Sequence, residues 1–148
     1  MADLKIERWK NRGGIWIWSY EECPRSYQGY HLMADAQGCS FLQGLVKLFQ
    51  DSKFPAQKTI ELNQPRAEHL AVPNCSKKCI PVKTVQFRFR QSFPNTHWSV
   101  HENQDKLTIE TGTIGLAELE RGFADIALGK GDWTVGSGEK ALWFWWRS

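Results

Sequence analysis

Hydrophobic and polar positions alternate in several short runs, and two longer stretches repeat with helical spacing. Leu4, Ile6 and Arg8 alternate with Lys5, Glu7 and Trp9, which predicts a strand. Asn11-Arg12-Gly13-Gly14 supplies residues that tolerate positive φ, so a hairpin turn should follow. The returning strand, 15–20, places Trp16, Trp18 and Tyr20 on one face and Ile15 and Ile17 on the other. Both faces are apolar, so this strand should be central and covered on both sides.

After a loop at 21–29, Tyr30 to Met33 reads as another short strand. Leu42, Leu45, Val46 and Phe49 then fall at i, i+3, i+4 and i+7, a helical stripe closed by Pro55. Ser40 and Gln43 match a capping box at its start. A strand over 59–62 and an irregular connection over 63–80 lead into three further strands. Val85, Phe87 and Phe89 alternate with Gln86, Arg88 and Arg90; Trp98 and Val100 with His97, Ser99 and His101; Leu107 and Ile109 with Lys106, Thr108 and Glu110. Phe93-Pro94-Asn95 and Asn103-Gln104-Asp105 are short links, so the three strands should form an antiparallel meander.

The second helical stripe is Leu116, Leu119, Phe123, Ile126 and Ala127, starting near Thr113 and stopped by Gly129. A Gly-rich turn around Trp133 precedes a last strand, 141–147, apolar on both faces. That strand should therefore sit inside the sheet, with Trp143 and Trp145 in the core. No repeat or linker divides the chain, and 148 residues suit one domain. The expected fold is α+β: one domain over 1–148, a mainly antiparallel sheet of six to seven strands, and two helices packed on it.

The chain is 41% hydrophobic and 24% charged, which excludes collagen-like, coiled-coil and wholly disordered classes. The net charge of +3 is little for a polyanion binder. Its distribution says more. Between His69 and His101 stand Lys77, Lys78, Lys83, Arg88 and Arg90 without an acid, whereas Glu102 to Asp132 holds seven acids against three bases. Neighbouring blocks of opposite sign should pair across a sheet. The first residues lack an apolar h-region and no apolar run approaches 18 residues, so neither signal peptide nor membrane span is expected. The expected location is cytoplasmic, with Cys23, Cys39, Cys75 and Cys79 as thiols.

Chemistry-bearing motifs are mostly incomplete. Gly131 to Gly136 lacks the lysine that a phosphate loop places after its last glycine. His101-Glu102-Asn103-Gln104-Asp105 begins like a zinc-protease motif but ends in Asp and lies on a strand. Cys75, Cys79, His97 and His101 are candidate zinc ligands by residue type. Residues i and i+4 on a strand are about 13 Å apart, however, which argues against one shared ion. No metal or cofactor is expected.

The remaining candidate is the strand face carrying Arg88, Arg90, His97, His101 and Glu110. Two imidazoles, a carboxylate and two guanidiniums could serve a metal-independent ribonuclease, with a proton acceptor, a proton donor and a phosphate clamp. The same residues describe a solvated face on which an arginine pairs with Glu110 across strands. Without a complete catalytic motif, the first expectation is a non-enzymatic protein-binding domain, of the kind of a small cytosolic immunity protein. Arg88, Arg90, His97 and His101 are its candidate partner contacts. RNA binding or cleavage on the same face is the alternative, and a structural zinc protein the second alternative.

Overall fold

The computed structural model describes residues 4–21, 28–71, 73, 78–129 and 133–145. The fold is α+β, with nine strands and four α-helices among the described residues. In chain order these are α1 (Leu4–Arg8), β1 (Ile15–Tyr20), β2 (Tyr30–Ala34), α2 (Ala36–Asp51), β3 (Ala56–Glu61), α3 (Ala67–Leu70), β4 (Cys79–Pro81), β5 (Thr84–Phe89), β6 (Trp98–Asn103), β7 (Lys106–Thr111), α4 (Thr113–Ala127), β8 (Trp133–Val135) and β9 (Leu142–Phe144). A 3₁₀ turn at Gly138–Lys140 joins the last two.

The strands form two sheets rather than one, ordered β4-β1-β2-β9-β8 and β3-β5-β7-β6. Pairing is mainly antiparallel, but each sheet has one parallel pair, β2 with β9 and β5 with β7. The expected meander is thereby corrected. The β5–β6 link spans Arg90 to His97, long enough for β6 to pass β7 and pair with its far edge. Of these three strands, β6 and β7 alone form a hairpin. Its central residues, Gln104 and Asp105, have φ of 50° and 66°, the positive values that suit a tight two-residue turn.

One face of each sheet shares a core with the apolar stripes of α2 and α4. Ile15, Ile17, Leu32 and Phe144 of one sheet and Val85, Phe87, Leu107 and Ile109 of the other share one cluster with Leu42, Leu45, Phe49, Leu116, Leu119 and Phe123. The Phe123 ring meets both Phe87 and Phe144, with centroids 6.4 and 5.4 Å away. Both expected helical stripes are buried, except that Ala127 is exposed. The five-stranded sheet also buries its other face, where Trp16, Trp18, Tyr20 and Met33 make a second cluster. β1 is central and covered on both sides, as its two apolar faces require.

Three local readings change. The segment at Leu4–Arg8 is a helical turn, not a strand, and it buries only Ile6. Lys58 from β3 donates to the carbonyls of Ile6 and Glu7, each at 3.0 Å, and so caps that turn. The N-cap of α2 is Asp35 rather than Ser40. One Asp35 carboxylate oxygen accepts from Gly38 N and the other from Gly14 N, both at 2.8 Å. Gly13 is needed beside it, because a Cβ there would overlap the backbone nitrogen of Gly38. Finally, β9 does lie inside its sheet, but Trp143 and Trp145 are half-buried, and Phe144 between them fills the core.

Candidate functional site

The four-stranded sheet turns Phe87, Phe89, Val100, Leu107 and Ile109 toward the helices and its polar residues outward. Strand register sets those polar residues in rows. Gln57, Arg88, Glu110 and Ser99 form one; Thr59, Gln86, Thr108 and His101 form the next.

Hydrogen bonds join the rows. Gln86 Nε2 donates to Thr59 Oγ1 at 3.1 Å, and Gln86 Oε1 accepts from Arg88 Nε at 2.7 Å. Arg88 Nη1 donates to Glu110 Oε2 at 3.3 Å, and His97 Nε2 lies 3.3 Å from Glu110 Oε1. His97 also rests against the Phe93 ring, with centroids 4.4 Å apart, and the Arg90 guanidinium lies 5.9 Å from the same ring. Burial opposes ionisation of Glu110, but hydrogen bonds and charge from His97 and Arg88 outweigh it and lower its pKa.

The five residues singled out by the sequence are thus not one constellation. Arg88, Glu110 and His97 are joined, and Arg90 reaches them only through Phe93. His101 is exposed opposite Thr108, one row away from Glu110. The expected pairing of charge blocks holds at two points, Arg88 with Glu110 and Lys83 with Asp105, 3.6 Å apart.

Nor do the zinc candidates assemble among the described residues. Cys75 lies outside them. Cys79 is on β4 of the five-stranded sheet, with its thiol pKa raised by burial, and no group of three His, Cys, Asp or Glu gathers. No helix among the described residues is long and apolar enough to cross a membrane.

A second polar constellation escaped the sequence reading. His31 is fully buried on β2 among Trp18, Tyr20, Trp143 and Trp145, with ring centroids 5.0–6.2 Å away. Its Nδ1 accepts from Trp145 Nε1 at 2.9 Å and so carries no proton. His69 is also buried, packed at a tilt against Trp16 with centroids 4.0 Å apart, and its Nδ1 accepts from Arg66 N at 2.9 Å. Both imidazoles are held inside an aromatic layer, out of reach of a substrate. The sequence signal was the Trp16/Trp18/Tyr20 face; register adds the rest, by setting His31 opposite both Trp18 and Trp143.

Comparison with protein-family models, with curated proteins and with solved structures gave no match.

Proposed function

We propose that the chain is a non-enzymatic binding domain that presents the polar face of its four-stranded sheet to a protein partner. The supporting observation is the way Glu110 is held. Its carboxylate already binds Arg88 and His97, Arg88 is fixed in turn by Gln86, and His101 stands apart. A carboxylate whose two oxygens are already engaged by a guanidinium and an imidazole is poorly placed to take a proton from a substrate. A rigid row of polar side chains with exposed Arg90 and His101 suits recognition, because little side-chain freedom is lost on docking. Charge of both signs on this face, from Arg88 and Lys106 beside Glu61 and Glu110, favours a protein over a phosphate backbone.

One observation favours the second reading, metal-independent RNA cleavage. Glu110 on β7 is directly opposite Ser99, which stands between His97 and His101 along the chain at the sheet edge. A phosphate held by Arg88 would therefore have an imidazole on either side.

One pair of assays separates the two. Cross-linking in the native cell should capture a protein with the unaltered chain and lose it with Arg90→Glu, while His101→Ala has a lesser effect. RNA incubated with the purified chain, with and without chelator, should stay intact. Chelator-resistant cleavage lowered about 10²–10⁴-fold by His97→Ala or Glu110→Gln would replace binding with catalysis.

A further inference from the structure

A groove of about 520 Å³ runs between residues 9–13 and the segment 58–63. Consecutive residues along β3 line it, although side chains on a strand alternate between faces. The groove therefore runs along the strand's main-chain edge. β3 is the outermost strand of its sheet, and hydrogen-bond direction shows which groups lie on that free edge. Thr84 N donates to Asp105 O, toward β7, so the main-chain groups of the next residue, Val85, turn to β3 and its partner Ile60. Alternation then leaves the N–H and C=O of Thr59 and Glu61 pointing outward into the groove. Both residues are exposed.

Exposed edges are commonly blocked, and the first half of this one is. Lys58 bends onto the last carbonyls of α1, which closes the strand near Ala56. At the far end Asn63 exchanges hydrogen bonds with Ile15. Between these stops no strand among the described residues pairs with the edge.

The opposite wall is built. Trp9 is held by donation from its Nε1 to Phe41 O at 2.9 Å and by stacking on the Phe41 ring, yet it remains 36% exposed. Gly44 makes room for it, since a Cβ there would overlap the indole. Lys10 and Lys58 both line the groove, together with Glu61, and the Lys58 ammonium is held by the carbonyls of Ile6 and Glu7. Burial first, and repulsion from Lys10 second, lower the Lys58 pKa although Glu7 acts the other way, and a further anion between the two lysines would favour their charged forms.

We infer that the free edge of β3 between Lys58 and Asn63 takes an extended, acidic segment of a protein partner, which adds a strand to the four-stranded sheet. Main-chain bonds to Thr59 and Glu61 supply affinity, Trp9 and Phe41 take an apolar side chain, and Lys10 and Lys58 select for carboxylates. The inference rests on the reading of the chain as a protein-binding domain, but not on the polar face proposed above.

The test uses the full chain and three capped seven-residue peptides in which valine alternates with Glu, Gln or Lys. Calorimetry should show binding strongest for the Glu peptide and absent for the Lys peptide. Amide exchange at Thr59 and Glu61 should slow on binding. Thr59→Pro removes one edge N–H at a position where an edge strand tolerates proline, and it should abolish binding. Thr59→Val, which keeps that N–H, should bind as the unaltered chain does. Lys10→Glu changes an exposed side chain and should weaken the Glu peptide about tenfold without altering the melting temperature. Equal binding of all three peptides, full binding by Thr59→Pro, or binding of none would overturn the inference. If no peptide binds while Arg90→Glu still abolishes capture of a cellular protein, the groove fails and the proposed function stands.

Discussion

Glu110 shows how one partner of a side chain can be legible in the sequence while another is not. Its pairing with Arg88 follows from strand alternation, but its hold on His97 depends on where the β5–β6 link delivers that ring. The pKa of Glu110 is lowered in the fold, so its ionised form adds stability that is fully present above the unfolded carboxylate value. That stability is lost as pH falls through the folded value. Glu110→Gln should therefore destabilise the protein by on the order of 1 kcal/mol at neutral pH, the scale of a partly solvated pair. The gap from the unaltered chain should close as pH drops below the ordinary value of 4.5, as read by urea melts across pH 3–7. A gap independent of pH would mean that shape, not charge, holds this corner. Asp35 is the contrasting case. Its cap on α2 is local and could be suspected from sequence, but its second bond, to Gly14 twenty-one positions earlier, is tertiary and could not.

At the scale of elements, long periodic segments were legible and short ones were not. The stripes of α2 and α4 span several turns each, enough for 3.6-residue spacing to be unmistakable. The five residues of α1 span little more than one turn. Over that length Leu4, Ile6 and Arg8 satisfy alternation as well as a helix, and the deciding facts are burial of Ile6 and capping by Lys58. The polar and apolar faces of β5, β6 and β7 were also legible, whereas their order in the sheet was not, because alternation is silent about which neighbour a strand takes. β9 carries the clearest energetic lesson. Its apolar run predicted two core tryptophans, but Phe144 is the fully buried ring and the flanking indoles donate to Gln28 O and His31 Nδ1. Phe144→Ala should cost about 3–5 kcal/mol. Trp143→Ala should cost less, since part of its surface already meets water. Equilibrium unfolding of the two variants gives the order directly, and the reverse order would mean that the outer aromatic layer, not the shared core, holds β9.

For the whole molecule, composition and pattern fixed the class, while the division into two sheets around a shared core was beyond them. The opposed charge blocks meet in one cross-strand pair between β5 and β7, Arg88 with Glu110, and in a second pair just before those strands, Lys83 with Asp105. The position of β3 at the end of its sheet was equally hidden, because it follows from register. The parallel pairing of β2 with β9 carries a further consequence, in time rather than in space. These strands meet across most of the chain, with His31 and Trp145 114 positions apart, and β9 separates β2 from β8. Loop closure over such a span costs entropy before any contact repays it, so the centre of the larger sheet should be the last part to form. The β6–β7 hairpin and α4 are near neighbours in sequence and can form first. In pulse-labelling during refolding, amides of Lys106–Thr111 should gain protection well before those of Leu142–Phe144. Until then β2 has one side unpaired, and the refolding chain passes through a stage in which a sheet edge that the native state covers is available for aggregation.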